Sequence, residues 1–239
     1  MKKNPEVSIV IRTKNEEKFI GEVLGYLMKQ SYKNFEIIIV DSGSEDKTLE
    51  VVKRFPIRLI QIKAGEFNFS YALNLGITSA RGKYICILSG HSIPISDHWL
   101  SDGLKNFGDE KVAGVCGYYS ILPIGYISRW LGRQEFFFYG EKKIEHTKWF
   151  TNSNSLIRKR LWKIYPFDES LDGAEDYDWA SEMIVRGYNI IKDVRFSVFH
   201  SHGLVGRPTY RKMLPTWQKW NKKIDKRKRP RKSFTRLVI

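Results

Sequence analysis

Apolar and polar positions change period repeatedly along the first half of the chain. Short uninterrupted apolar runs lead into polar loops, and the loops lead into stretches with apolar residues three and four apart. The first run is Val7-Ser8-Ile9-Val10-Ile11. It gives way to Arg12-Thr13-Lys14-Asn15, after which Phe19, Ile20, Val23, Leu24, Leu27 and Met28 mark one face of a helix over residues 16–30. Asn15 suits the N-cap, with Glu16 and Glu17 in the first turn, where the helix dipole favours acids. The run Phe35-Glu36-Ile37-Ile38-Ile39-Val40 repeats the arrangement. It empties into Asp41-Ser42-Gly43-Ser44-Glu45-Asp46-Lys47-Thr48, before a helix over 49–55. Further strands are predicted at 57–62, 83–88 and 111–117, with helices at 68–80 and 97–107. This alternation predicts an α/β fold with a mostly parallel sheet. Ligands bind above the loops at the carboxyl ends of such strands.

The pattern changes after residue 117. Residues 118–150 are aromatic and irregular, and a polar cluster follows at Asn152-Ser153-Asn154-Ser155. Next come Asp168-Glu169 and Gly173-Ala174-Glu175-Asp176-Tyr177-Asp178-Trp179. A helix is predicted from Asp176 to Arg186, stopped by Gly187. A short strand at 196–198 runs into His200-Ser201-His202-Gly203.

Composition narrows the class. In 239 residues, 42% hydrophobic and 14% aromatic content is enough for a packed core and argues against disorder. Runs of 18 apolar residues are absent, so no spanning helix is predicted. Met-Lys-Lys-Asn-Pro-Glu leads into a strand, so no secretory signal is expected there. Cys86 and Cys116 fall in or beside apparent core strands and read as buried thiols, which fits a reducing, cytoplasmic location. The net charge of +15 is concentrated in Lys219, Lys222, Lys223, Lys226, Arg227, Lys228, Arg229, Arg231 and Lys232. Trp217 and Trp220 beside this run favour an anionic membrane surface, with the protein peripheral to it. The apolar, aromatic stretch 121–139 is a second candidate for contact with lipid, or packs beneath the site. Nucleic acid is not the expected partner, because the basic residues crowd into a tail while acidic motifs occupy the presumed cleft.

The two early loops carry residue types that suit a nucleoside: carboxylate acceptors, hydroxyls and a glycine that lets backbone approach. With VSIVIRTKNEE, FEIIIVDSGSEDKT, ARGKYICILSG and FDESLDGAEDYDWASEMIVRGYNI, the chain resembles the family 2 inverting nucleotide-sugar glycosyltransferases of GT-A fold over residues 6–203. The resemblance implies transfer of a sugar from a nucleotide diphosphate donor (UDP-, dTDP- or GDP-linked) to a saccharide or lipid-linked acceptor, with inversion. It suggests cell-surface polysaccharide or glycolipid biosynthesis at the cytoplasmic face of a membrane. It divides the chain into a nucleotide-sugar-binding half at 1–117, an acceptor-side and catalytic half of the same domain at 118–203, and a basic extension at 204–239.

Carried over by residue, the resemblance puts Thr13, Asn15, Glu17, Asp41, Ser44 and Asp46 around the nucleoside and Arg81 near the nucleotide. Asp176, with Glu175 as the second choice, is the general base. Asp178 and the set Trp149, Trp162 and Trp179 read as structural, or as acceptor-pocket wall for the tryptophans. One motif departs from the family. Where it carries a DXD-type metal motif, this chain has Ser89-Gly90-His91. His91, with His200 or His202, would then form a reduced site for a divalent cation, manganese rather than magnesium. The alternatives are cationic clamps at Arg207, Arg211 or Lys212 in place of a metal, and a donor-binding protein with impaired catalysis. A nucleotidyltransferase is the rival enzyme class, though the first loop lacks the glycine-rich, lysine-bearing form it would need.

Overall fold

The computed structural model describes residues 4–120, 143–144, 147–171, 173–200 and 203–226. Strand β1 (Val7–Thr13) lies between β2 (Phe35–Asp41) and β4 (Tyr84–Ser89), with β3 (Arg58–Gln61) outside β2; all four are parallel. The sheet continues beyond β4 through β9 (Asn154–Arg158), β6 (Val112–Cys116), β10 (Asn189–Asp193) and β8 (Lys143–Ile144), giving eight strands in the order β3-β2-β1-β4-β9-β6-β10-β8. Strand β9 is antiparallel to both its neighbours, and β6 and β10 are parallel to each other. A small second sheet orders β5 (Ser92–Pro94), β11 (Val198–His200) and β7 (Tyr119–Ser120).

The central runs are continuously apolar because both faces of the sheet are covered. One face carries Ile9, Ile11, Ile37, Ile39, Cys86 and Leu88 against α1 (Ile20–Lys29), α2 (Thr48–Val52) and α4 (Trp99–Lys105). The other carries Val10, Ile38, Val40, Ile85 and Ile87 against α3 (Phe69–Ser79), α5 (Lys159–Ile164) and α6 (Glu175–Val185). In α1 the buried positions are Ile20, Val23, Leu24 and Leu27, the one-stripe spacing of an amphipathic helix. Leu24→Ala there belongs to the class of core truncations that cost about 2–5 kcal/mol.

Several boundaries differ from the sequence expectation. Helix α1 begins at Ile20, and Asn15 is not its cap. Asn15 has φ 56°, and its side-chain oxygen instead accepts from Glu45 N–H at 2.9 Å. Competition from a loop partner has taken the capping oxygen. Helix α4 is shorter than expected and continues as a 3₁₀ turn over Asn106–Gly108. By contrast Asn68 does cap α3, accepting from Tyr71 N–H at 3.0 Å.

The last described element is α7 (Gly203–Asp225), which packs on α6. Ile224 is buried, and the Trp217 indole closes over Gly173 so tightly that a Cβ there would lie 2.7 Å from it. Asp225 accepts from Tyr177 Oη at 2.7 Å and pairs with Lys148 Nζ at 3.2 Å. No described helix is long and apolar enough to cross a membrane.

Candidate active site

The loops that follow β1 and β2 are bonded to each other as one unit. Their register sets Thr13 beside Asp41, and Ser42 N–H donates back to Thr13 O at 3.0 Å. Asp41 is fully buried and is the centre of the unit. Its carboxylate accepts from Gly43 N–H at 3.1 Å, Ser44 N–H at 3.0 Å, Thr13 Oγ1 at 3.1 Å and Ser44 Oγ. Four donors fill the acceptor capacity of a carboxylate. Reciprocal bonds complete the cradle. Asn15 N–H donates to Ser44 Oγ at 2.9 Å, Glu17 N–H to Asp46 Oδ2 at 3.1 Å, and Lys47 N–H to Glu17 Oε2 at 3.0 Å. Thr13, Asn15, Glu17, Asp41, Ser44 and Asp46 are therefore gathered at the carboxyl edge of the sheet, largely engaged with one another.

Arg81 does not join them. It precedes β4, so the chain places it at the amino edge, opposite the loops that follow the strands. Its guanidinium pairs with Glu36 at 2.8 Å, and its N–H donates to Glu36 Oε1 at 2.8 Å. Burial opposes ionisation of Glu36, but the hydrogen bonds from Arg81 and Ser8 outweigh it and hold the carboxyl below its usual range. The role of Arg81 is to clamp β2 to the turn before β4.

The acidic pair reaches the same edge from the opposite face. Gly173 (φ 98°) and Ala174 (φ 61°) both adopt the left-handed region, which a glycine accepts readily and an alanine at some cost. This turn starts α6 abruptly, with Glu175 and Asp176 in its first turn. Asn152, just before β9, donates through Nδ2 to Glu175 Oε1 at 3.2 Å and through N–H to Asp176 Oδ2 at 3.2 Å. Arg12 NH1 lies 3.6 Å from Glu175 Oε1, with its guanidinium over the Phe69 ring. Burial lowers the pKa of Arg12, against the attraction of Glu175 and Asp176. Burial first, and the charge of Glu175 second, push Asp176 up to about 7; bonds from Asn152 and Tyr177 oppose this. A half-buried carboxyl poised near neutrality is the form a general base takes. Asp178 is buried and accepts from Tyr165 Oη at 2.8 Å, a structural role.

His91 follows β4 and meets the β1 loop, its Nδ1 lying 2.6 Å from Glu16 Oε1. Its ring stands 4.6 Å from that of His200, whose Nδ1 is 2.8 Å from Ser92 Oγ. His91 and His200 are thus brought together. His202 lies outside the described residues, as do the side chains of Arg207, Arg211 and Lys212. Among the described residues no group of three His, Cys, Asp or Glu side chains is arranged to hold a metal ion. Glu16 and His91 offer two donors, too few for a cation by themselves.

Three site residues escaped the sequence reading. The sequence puts Glu16 in the first turn of a helix that begins only at Ile20. Arg12 and Asn152 left a readable signal: each is a polar side chain bordering the buried part of a strand, where an unsatisfied polar group is costly.

The fold matches that of known proteins. The model of glycosyl transferase family 2 matches residues 8–164. The chain belongs to glycosyl transferase family 2. It is 27% identical over 241 residues to the probable glycosyltransferase YdaM of Bacillus subtilis, covering 92% of this chain and 54% of that protein. It is 27% identical over 205 residues to the O-antigen chain rhamnosyltransferase WbaN of Salmonella anatum, covering 79% of this chain and 63% of that one. The chain thus spans little more than half to under two thirds of these relatives' lengths. Among solved structures, the mannosyltransferase PcManGT of Pyrobaculum calidifontis, in complex with GDP-mannose and Mn2+, superposes with TM-score 0.72 at 20% identity, covering 96% of this chain and 67% of that one. That likeness gives the family 2 chain its GT-A fold.

Proposed function

We propose that this family 2 chain transfers a sugar from a nucleotide diphosphate donor to a saccharide or lipid-linked acceptor, with inversion, in cell-surface polysaccharide or glycolipid assembly. The observation that carries the reading is the convergence of Asp176 with the β1 and β2 loops at one sheet edge. Asp176 takes the proton of the acceptor hydroxyl as its oxygen attacks the anomeric carbon. The bond to the diphosphate oxygen breaks on the far side, which inverts the centre. Glu175, tied to Arg12 and Asn152, positions the helix start and keeps Asp176 partly protonated. The O-antigen relative supports a polysaccharide setting.

A divalent cation supplies charge neutralisation for the leaving diphosphate when bound. His91, at the position where the resembled family carries its acidic motif, and Glu16 beside it would supply part of its ligands, and the donor's phosphate oxygens the rest. Manganese should therefore bind measurably only with a nucleotide present, which calorimetry of Mn2+ with and without UDP or GDP checks. A panel of nucleotide sugars scored by thermal shift and donor hydrolysis tests the wider reading. No stabilisation by any member would reject it.

An anionic membrane surface is the proposed partner of the C-terminal region. Lys219, Lys222, Lys223 and Lys226 are exposed along α7, and each cation near an acidic leaflet contributes about 1 kcal/mol. Replacing Lys219, Lys222 and Lys223 by Glu should release the protein from acidic phospholipid vesicles at low salt. Equal co-sedimentation of this variant and the wild type would argue against docking there. Truncation inside α7 is a poorer test, because it would also delete the buried Ile224 and uncover Gly173.

A further inference from the structure

Three tryptophans accompany the acidic half of the site and meet different environments. Trp179 is 0% exposed, Trp162 8% and Trp149 60%. The Trp149 backbone is nonetheless held. Cys116 Sγ donates to its carbonyl at 3.1 Å, its N–H donates to Thr147 Oγ1 at 2.9 Å, and the next residue, Phe150, is buried. Three positions later Asn152 bonds both acids of the pair. A large apolar ring left in solvent forgoes the burial that stabilises other tryptophans. A flat, exposed indole on a held backbone offers the C–H face of a sugar ring a surface to stack on.

Lys192 stands beside it. Its Nζ lies 4.0 Å from the Tyr118 ring centroid and 5.6 Å from that of Trp149. No carboxylate among the described residues pairs with it. Burial lowers its pKa, so the ammonium is partly stripped of water. Aromatic faces replace only part of that hydration. Such a cation is a receptor for an anion. Cys116 is the register partner of Lys192 and bonds the Trp149 carbonyl, three residues before the Asn152 that holds both acids, so the patch borders the acidic pair.

We propose that Trp149 and Lys192 form the acceptor subsite, stacking a sugar ring and pairing with a phosphate or carboxylate that the acceptor carries. The inference rests on the transferase reading and adds the acceptor's charge to it. The anion is either a phosphate at the sugar's anomeric oxygen, as in a lipid-linked acceptor, or the carboxylate of an acidic sugar.

Saturation-transfer NMR tests it on full-length protein saturated with UDP or GDP, with three probes: glucose 1-phosphate, glucuronic acid and methyl glucoside. Wild-type protein should bind at least one anionic probe about tenfold more tightly than the neutral one, the value of one charge-assisted contact. Whether glucose 1-phosphate or glucuronic acid responds more strongly identifies the anion. Lys192→Met should bring the anionic probes down to the level of methyl glucoside. Trp149→Ala should remove transfer to all three, and Trp149→Phe should retain part of it. Since Trp149 is exposed, these variants should fold, and unchanged melting would establish that. Equal binding of neutral and anionic probes, indifference to Lys192→Met, or no transfer to any probe overturns the proposal. Calorimetric nucleotide binding on the same wild-type sample separates the two failures: without it the transferase reading falls, and with it intact only the acceptor subsite does.

Discussion

Asp176→Asn is expected to bind nucleotide as the wild type does and to lose about 10²–10⁴-fold in transfer, the usual contribution of a positioned general base. The amide keeps the size of the side chain and its single oxygen keeps one of the two bonds from Asn152 N–H and Tyr177 N–H, so the fold around it should persist at the cost of the other. What disappears is the ability to take a proton. The pH dependence adds a second check. Burial and the charge of Glu175 raise Asp176 to about 7. Transfer by the wild type should therefore climb as the pH rises through about 7 and then level off. Stability should move the opposite way. An unfolded aspartate ionises near 3.9, whereas the folded one holds its proton to about 7. Between those values the folded state binds more protons, so stability falls as pH rises and stays lower above the window. Asp176→Asn, which never ionises, should melt above the wild type at pH 8 and close to it at pH 3.5. Transfer surviving in Asp176→Asn, while Glu175→Gln abolishes it, would exchange their roles.

Asp41→Ala should have the largest effect on the nucleotide side. It removes the acceptor of four donors at a fully buried position. Hydrogen bonds to charged groups contribute about 1.5–3 kcal/mol each, and water entering the cavity recovers part, so the loss should be about 3 kcal/mol or more. Both loops depend on that carboxylate, so nucleotide affinity should fall with stability. Asp41→Asn is expected to be milder. Its carbonyl still serves Gly43 and Ser44, and the Thr13 and Ser44 hydroxyls can rotate to accept from its amide. Urea unfolding and calorimetric nucleotide binding measure the two effects. Full nucleotide affinity in Asp41→Ala would remove this residue from the donor site.

The fold was legible because each central strand is apolar on both faces and each polar loop follows it at once. Ile9, Val10, Ile38 and Ile39 carry that signal directly. Long-range choices were not legible in the same way. Nothing local to Asn15 distinguishes a helix cap from a loop bridge, since the deciding partner is Glu45, thirty positions away. The placement of Arg81 failed for a topological reason: a residue just before a parallel strand emerges at the amino edge, away from the ligand side. Glu16 and His91 became neighbours only through the β1–β4 pairing. The acidic pair was legible as a motif, but the raised pKa of Asp176 comes from burial that no residue type announces.

The insertion of β9 between β4 and β6 restricts how the protein can be divided. A fragment ending at residue 117 keeps the four parallel strands and the loops after β1 and β2, yet loses the ladder partner that β4 and β6 share. Backbone donors and acceptors along β4 would then open to solvent beside Ile85, Ile87 and Leu88, all fully buried in the intact protein. An exposed, apolar sheet edge of this kind recruits strands from other molecules. Such a half should accumulate as aggregate, and recover as a soluble species when a separately expressed remainder supplies the missing strand.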